Sequence, residues 1–438
     1  MAAPASPGQS PPPWVTLPFF YLAPAWLMVG GVLLGMARPE SFVAINEPRL
    51  LATVHAVAIG WLTTTIMGAT YQLIPAVLGG RLLSHRLAPV HLTLHTLALA
   101  LFVSGLYRWN LGLTLVAGLS LALALSLYVV NAGTGLIRAT RSGPVRSYLA
   151  TSLAFLTATV ALGLLWALSL QYGWMPVTLG RVAAHAHLAL LGWIGLTVMG
   201  ASYQLVPMFS IARGSSTRIP LLALGTTAGA LVLFALAMVT DPSREFRLLL
   251  AGTLAIGPSL WLWDMTRLFS RRARRRLDIH GRASVTSWVA LGATAALGIM
   301  AAAGTPLLSD SQPARWPLAY GAAAMVGWAG ASVVGNSFKI VPFVVWLHRH
   351  QRNVGRGYVP LVGDLSIHWI EHAVLGAALG AAILLVAGAA TATVDVVHLA
   401  GWLLVTAGAG QLAAFLAVLR PVARRRGRHS PTTEGVSP

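Results

Sequence analysis

The chain has 438 residues, of which 56% are hydrophobic and only 9% charged, and its mean hydropathy is +0.72. This composition excludes a water-soluble globular protein, because apolar segments long enough to cross a hydrocarbon core recur from end to end. There is no cysteine, so disulfides, thiolate metal ligands and cysteine nucleophiles are excluded as well.

Twelve apolar segments are predicted to span the membrane, all as helices, because hydrocarbon offers no partner for unpaired backbone groups. In chain order they cover residues 15–37, 48–78, 88–108, 111–136, 146–171, 180–209, 218–240, 245–269, 284–305, 316–346, 366–390 and 394–419. We expect one membrane domain over residues 15–420. The Pro-, Ala- and Ser-rich residues 1–14 and the Arg-rich tail 421–438 are expected to be disordered.

The net charge of +19 is distributed unevenly along the chain. Arginines concentrate in the loops that follow the even-numbered segments and in the C-terminal tail, whereas residues 171–180 and 388–393 carry little positive charge. By the positive-inside rule, both termini are predicted to be cytoplasmic, in a bacterial inner membrane. We expect membrane lipid with anionic headgroups to face the basic surface, and no nucleic acid partner.

One pattern is written three times with identical spacing: Gly-Trp, then Gly, an aromatic residue, a polar residue and Pro. The copies cover residues 60–75, 192–207 and 327–342, and five residues before each copy stand His55, His187 and Ala322. Each interval between copies holds four predicted helices. The prediction is an all-α membrane protein of about twelve transmembrane helices in three pseudo-threefold-related four-helix arcs, residues 15–136, 146–269 and 284–419, with sites at the repeat interfaces.

Four histidines are expected in one outer layer of the membrane, because each lies a few residues into a helix that enters from outside: His55, His185, His187 and His398. Ionisable side chains at such depth are costly and commonly functional. At about 100° per residue, His185 and His187 point to nearly opposite faces of their helix. His55 can form a two-imidazole clamp with that helix, and imidazole is an axial ligand of haem iron. Hydrogen bonding between helices is the alternative, and for His398 a packing or propionate-side role is favoured.

Two further histidine pairs, His91 with His95 and His368 with His372, are predicted to lie in an inner layer. Each pair has the i, i+4 spacing that places both rings on one helix face, which could hold a second metal. Both pairs begin near the headgroup boundary, so an interfacial or structural role is the favoured interpretation. Histidines of the basic loops, His280 among them, are expected on the surface.

The only lysine, Lys339, occurs in the third copy of the pattern, where the other copies have Gln72 and Gln204. Near the inner end of its helix it is expected to extend to the headgroups. A proton route or an anion contact is the alternative.

These residues resemble the haem-copper oxidase subunit I superfamily over nearly the whole chain. The segment His185–His187, with Pro207 beyond it, is similar to the family's His-x-His helix, whose first histidine binds the high-spin haem and whose second binds the low-spin haem. The segment Thr53–His55, with Pro75 beyond it, is similar to the helix that supplies the other low-spin ligand. The resemblance implies that His55 and His187 form the axial pair of a b-type haem and that His185 is a ligand of a second haem.

The chain also departs from that family. Its His-x-His motif lies on the sixth segment rather than the tenth, which has Ala322 instead. No motif corresponds to the family's copper-ligand helix, so copper would need rearranged ligands. Only 11 acidic residues occur, and the membrane segments lack midplane carboxylates for proton pumping.

We therefore expect a haem-binding membrane protein that transfers electrons, or that binds and reduces oxygen or nitric oxide, with a redox subunit or cytochrome as partner. Two alternatives stay open. One is a complete terminal oxidase or nitric oxide reductase, a haem-dependent oxidoreductase that also holds copper or non-haem iron. The other is a non-enzymatic transporter or sensor on the same scaffold.

Overall fold

The computed structural model describes residues 10–42, 47–304, 314–356 and 358–421. Within these residues the protein is helical and has no strand, and 12 helices are long and apolar enough to cross a membrane. They are α1 (Pro13–Leu34), α2 (Pro48–Leu78), α3 (Leu87–Tyr107), α4 (Leu111–Ile137), α5 (Pro144–Tyr172), α6 (Leu179–Ser210), α7 (Arg218–Thr240), α8 (Arg244–Ser270), α9 (Ile279–Ala303), α10 (Arg315–Arg349), α11 (His368–Thr391) and α12 (Val394–Ala417). The predicted all-α membrane fold with twelve spans is confirmed.

The predicted disorder of the two chain ends can be compared with the structure only at residues 10–14 and 421. Helix α1 begins at Pro13, so the first membrane helix starts two residues earlier than predicted. Proline is well suited to this first helical position, because its missing N–H would have no partner there. Residues 1–9 and 422–438 lie outside the described residues. Below, the side on which the even-numbered helices end, where the arginine-rich loops lie, is called the basic side.

Three helices lie at the centre of the protein, and each of α2, α6 and α10 contacts the other two. Each contains one π-helical stretch: Ala56–Thr63, Leu188–Gly195 and Ala323–Gly330. Every stretch begins at the residue after His55, His187 or Ala322. Such local widening of a helix is rare, and where it does occur it often lies at a functional site.

The repeated tryptophans interlock these central helices in a cycle. The indole N–H of Trp193 in α6 donates to Thr63 Oγ1 in α2 at 3.0 Å. Gly195 and Gly330 hold the same repeat position as Thr63, and a Cβ built there would lie 2.7 Å from Trp328 and 2.8 Å from Trp61. Each tryptophan thus covers the same position of a neighbouring central helix. The grouping of the outer helices into three arcs stays a prediction.

Candidate cofactor cavity

A cavity of about 1090 Å³ surrounds the non-basic half of α6. On one flank of α6 its wall comes chiefly from α2, α3, α4 and α5, and on the other chiefly from α7, α8, α9 and α10, with a few residues of α1, α11 and α12. Most wall residues are apolar. The volume is slightly larger than the usual range of about 300–1,000 Å³ for small-molecule and cofactor sites. His55, His185 and His187 all line it, as do Tyr320 and Ala322 of α10.

His55 lines this cavity, and only one of its ring nitrogens has a hydrogen-bond partner among the described residues. Its Nδ1 lies 2.7 Å from the carbonyl oxygen of Leu51, one helical turn earlier. Because a carbonyl only accepts, Nδ1 carries the hydrogen and Nε2 keeps its lone pair. The ring packs edge-on against Phe102 of α3, with centroids 5.3 Å apart. A backbone carbonyl that fixes one nitrogen is the usual way in which a ligating histidine is oriented.

His185 lies on the same flank of α6 as His55. Its Nδ1 is buried and has no hydrogen-bond partner among the described residues. The imidazole faces Gly163 of α5, where a Cβ would lie 3.0 Å from its Cε1. The absence of a side chain at Gly163 therefore makes room for this ring, and His185 lines the same cavity as His55.

His187 faces the opposite flank, as the rotation along the helix predicted. Its Nδ1 donates to the carbonyl of Ala183 at 2.8 Å, and its Nε2 accepts from the Tyr320 hydroxyl at 3.0 Å. The ring also packs against Phe234 of α7, with centroids 4.3 Å apart. The predicted partnership of His55 with His187 is therefore not the one that this geometry favours, because His187 is directed at α7 and α10.

The repeat explains this pairing. His55, His187 and Ala322 occupy the same position in the three copies, called here the reference position. Tyr320 lies two residues before Ala322, just as His185 lies two residues before His187. The contact between His187 and Tyr320 therefore joins the reference position of one central helix to the residue two before the reference position of the next central helix. By the same rule, we expect His55 to face His185.

Three arginines contribute the positive charge of the cavity wall: Arg49, Arg247 and Arg315. They lie at the beginnings of α2, α8 and α10, on the non-basic side. Asp241, which is exposed, adds a carboxylate at this rim. Arginine is the side chain best suited to carboxylate ligands. Sequence reasoning missed these residues, and the available signal was arginine in loops that are otherwise poor in positive charge.

His398 is not part of the cavity wall. Its Nε2 donates to the carbonyl of Ala37 at 2.9 Å, which ties α12 to the residues after α1. Its Nδ1 lies 3.8 Å from Asp395 on its own helix. The contacts are those of a packing residue at the non-basic ends of these helices.

The two inner histidine pairs differ from each other. His91 and His95 are fully buried, because α3 packs this face against α2, and of the two favoured roles they therefore fit the structural one. His368 is largely exposed and hydrogen-bonds Glu371 at 3.1 Å, and His372 donates to the His368 carbonyl at 2.6 Å. Among the described residues, no three His, Cys, Asp or Glu side chains form a group that could hold a metal ion. A second metal bound by these pairs thus receives no support.

Two further expectations are corrected on the basic side. His280 is 2% exposed and packs on Phe209, with ring centroids 4.8 Å apart, so it is not a surface residue. Lys339 does not extend freely to the headgroups, because its ammonium group lies 2.8 Å from Asp278, the residue that caps α9. Burial acts to raise the pKa of the Asp278 carboxyl, but hydrogen bonds from Lys339 and the Gly281 amide hold that pKa below its ordinary value.

Comparison with known proteins adds no further identification. No protein-family model matches the chain, and no curated protein matches it either.

Proposed function

We propose that this membrane protein binds a b-type haem in the cavity on the α2–α5 flank of α6, with His55 and His185 as the axial ligands. The observation that supports the proposal is the presence of these two imidazoles in the wall of one apolar cavity. His55 offers Nε2, since its Nδ1 is committed to the Leu51 carbonyl. His185 has a buried Nδ1 without a partner among the described residues. Neutral imidazole is a common axial ligand of haem iron.

The rest of the wall suits a porphyrin. Its apolar side chains match the macrocycle, and the arginines at the non-basic rim match the two propionate carboxylates that a b-type haem carries. Gly163 keeps space beside the His185 ring. Bound haem would supply a one-electron redox couple, and the chain's own residues would hold it, fix the ring orientation of its ligands and exclude water from it.

Electron transfer is the function that two imidazole ligands favour, because both axial positions are then filled. Binding or reduction of oxygen or nitric oxide needs an open site, and the α7–α10 flank of the cavity is the place we propose for it. There, His187 and Tyr320 form a hydrogen-bonded pair directed into the same cavity. A complete oxidase with copper is the second candidate, but among the described residues no three-ligand cluster accompanies this pair.

Optical spectroscopy and metal counting test the proposal. We expect the purified protein to show a Soret band and the spectrum of a six-coordinate low-spin haem. His55→Ala and His185→Ala should each abolish that spectrum, because each removes one axial ligand. His398→Ala is the matched control, since this histidine is partly buried at the same side but does not line the cavity, and it should leave the spectrum unchanged.

Three outcomes would count against parts of this account. Absence of a Soret band after expression with sufficient haem overturns haem binding as a whole. Loss of the low-spin spectrum in His187→Ala, with retention in His185→Ala, would instead favour the pair His55 and His187. Copper or non-haem iron in stoichiometric amount would favour the complete oxidase or nitric oxide reductase.

A further inference from the structure

An open groove of about 480 Å³ follows the outer surface of α8. Its wall is formed by six residues of this one helix: Gly252, Ala255, Ile256, Ser259, Leu260 and Trp263. They are spaced three or four residues apart, so they lie on one helix face. Ile256 and Trp263 are about half exposed, and Gly252 and Ser259 are exposed as well. Because α8 is long and apolar enough to span the membrane, a groove on this face is open to lipid.

The length of the groove matches one leaflet of the membrane. From Gly252, near the middle of α8, to Trp263, near its basic end, the helix rises about 16 Å at about 1.5 Å per residue. The hydrocarbon core of a bilayer is about 30 Å thick, so the groove covers about half of it. Tryptophan is enriched where the hydrocarbon meets the headgroups, which agrees with the position of Trp263. The groove therefore has the length and the position of one acyl chain in the basic-side leaflet.

An arginine stands at the headgroup end of the groove. Arg267 follows Trp263 by one helical turn, and its guanidinium carbon lies over the indole, 5.5 Å from the ring centroid. This stacking favours a position of the guanidinium beside the end of the groove. Arg267 is exposed, and none of the salt bridges among the described residues includes it. Its donors are thus available to an anion such as a phosphate group.

Two neighbouring loops surround this end of α8 with further positive charge. A backbone bond from Ala273 to Ile211, 3.2 Å long, joins the loop after α8 to the loop after α6. Within residues 211–218 and 263–278, all of which the structure describes, six exposed arginines have no carboxylate partner: Arg213, Arg218, Arg267, Arg271, Arg275 and Arg276.

The two carboxylates of the same residues do not neutralise this charge. Asp264 is 2% exposed, so it is turned away from the surface, and it accepts from the Ser215 hydroxyl at 2.5 Å. Asp278 is paired with Lys339 at 2.8 Å and with Arg274 at 2.6 Å. The surface beside the groove is therefore complementary to an anionic headgroup.

The repeated scaffold does not require either feature. With the offset that relates His55 to His187, Leu127 of α4 corresponds to Ser259, and Gly135 corresponds to Arg267. The equivalent helix of the first copy thus has a large side chain where α8 has a small one, and no arginine at the headgroup end. General attraction of anionic lipid to basic loops would explain the arginines of both helices, but not a groove that leads to Arg267.

We propose that this face of α8 binds one anionic phospholipid of the basic-side leaflet, with an acyl chain in the groove and the phosphate at Arg267. Arg271 and the arginines of the two loops surround the headgroup. Ala255 and Ser259 line both the groove and the cofactor cavity, so the bound chain covers a part of the cavity wall that is made of small side chains. The site does not depend on haem in the cavity.

Lipid titration of the purified protein tests the site. The protein is delipidated in detergent, and native mass spectrometry counts bound molecules as dioleoyl phosphatidylglycerol is added. We expect one molecule to bind at lower concentration than all others, and the unfolding temperature to rise as this site fills. Dioleoyl phosphatidylcholine has the same chains without the net charge and should bind more weakly. Glycerol phosphate has the phosphate without the chains and should not bind at the same concentrations.

One variant at each end of the site is compared with a matched control. Arg267→Gln should weaken binding about fivefold, the usual contribution of one arginine beside an anionic membrane surface. Its control is Arg138→Gln, which changes an exposed arginine at the basic end of α4. Gly252→Leu should also weaken binding, because it fills the groove. A Cβ there has no atom within 4 Å, as at Gly225 on the exposed face of α7, so Gly225→Leu is its control.

Three results would overturn the site. Equal binding of the two phospholipids, with no first molecule that binds more tightly, would show only general contact with lipid. Glycerol phosphate that competes with phosphatidylglycerol at equal concentration would show a site for free phosphate instead. Unchanged binding in both Arg267→Gln and Gly252→Leu would show that the lipid binds elsewhere.

Discussion

Replacing the first glycine of each repeat copy with alanine should change the stability of the protein by an amount that depends on which atoms lie beside that glycine. A Cβ on Gly60 would lie 2.6 Å from Trp26 Cβ, whereas a Cβ on Gly327 would lie 3.3 Å from Ala290 Cβ. Trp26 is 7% exposed, and the contacted atom is next to its backbone, so relief requires α1 to move. Overpacking of this kind costs about 1–3 kcal/mol, against a gain of about 0.5–1 kcal/mol from replacing a helical glycine.

We therefore expect Gly60→Ala to lose about 1–2 kcal/mol of stability and Gly327→Ala to be neutral or slightly stabilised. Gly192→Ala should fall between them, because its Cβ would lie 2.8 Å from Phe155 Cβ. The three variants are solubilised in detergent and heated, and size-exclusion chromatography measures the folded protein that remains. The temperatures at which the folded protein is lost give the rank order of stability. Equal destabilisation of all three, or Gly327→Ala as the least stable, would show that local room does not explain the repeated glycine.

Two other predictions concern contacts between helices. Thr63→Val should lower the free energy of unfolding by about 1–3 kcal/mol, because it leaves the buried indole N–H of Trp193 without its acceptor. Thr197→Val is the control, since it loses only a bond to its own helix, and equal unfolding midpoints of the two variants would contradict the argument. The depressed pKa of Asp278 means that its pairing with Lys339 stabilises the protein above the ordinary carboxyl pKa of about 4 and that this contribution is lost as the pH falls through the depressed value. Lys339→Met should therefore lower stability at neutral pH and flatten its decline below about pH 4, as measured by unfolding at a series of pH values.

The membrane helices could be predicted from sequence because length and hydropathy determine them almost alone. The central position of α2, α6 and α10 was also foreseeable, since only these helices carry the repeated pattern. Burial of His91 and His95 was not. Depth in the membrane places a residue along the membrane normal, but it does not show which face of α3 contacts α2. The polar residues Tyr71 and Asn131 on neighbouring helices were the available signal. Its meaning depends on two contacts that the sequence does not show, Tyr71 with His91 and Asn131 with Tyr71.

The arginine rim illustrates a second limit. Arg49, Arg247 and Arg315 are far apart in sequence and begin three different helices, so no local motif connects them. They meet at one cavity because those helices start on the same side of the bundle. The sequence shows the sidedness of the arginines, whereas their convergence depends on the packing of the helices between them.

The asymmetry of the three repeat copies has a simple geometric basis once neighbouring helices are compared in pairs. Between α2 and α6 the paired positions hold His55 and His185, and between α6 and α10 they hold His187 and Tyr320. Between α10 and α2 the same rule pairs Ala322 with Thr53, whose hydroxyl is already bonded to the Arg49 carbonyl. One interface thus offers two imidazoles, the next an imidazole with a phenol, and the third no metal ligand. The vacant position in the third copy therefore does not weaken the proposed haem site, because it is the interface at which no ligand pair is made. Tyr320, not Ala322, is the residue of α10 that hydrogen-bonds a histidine in the cavity wall.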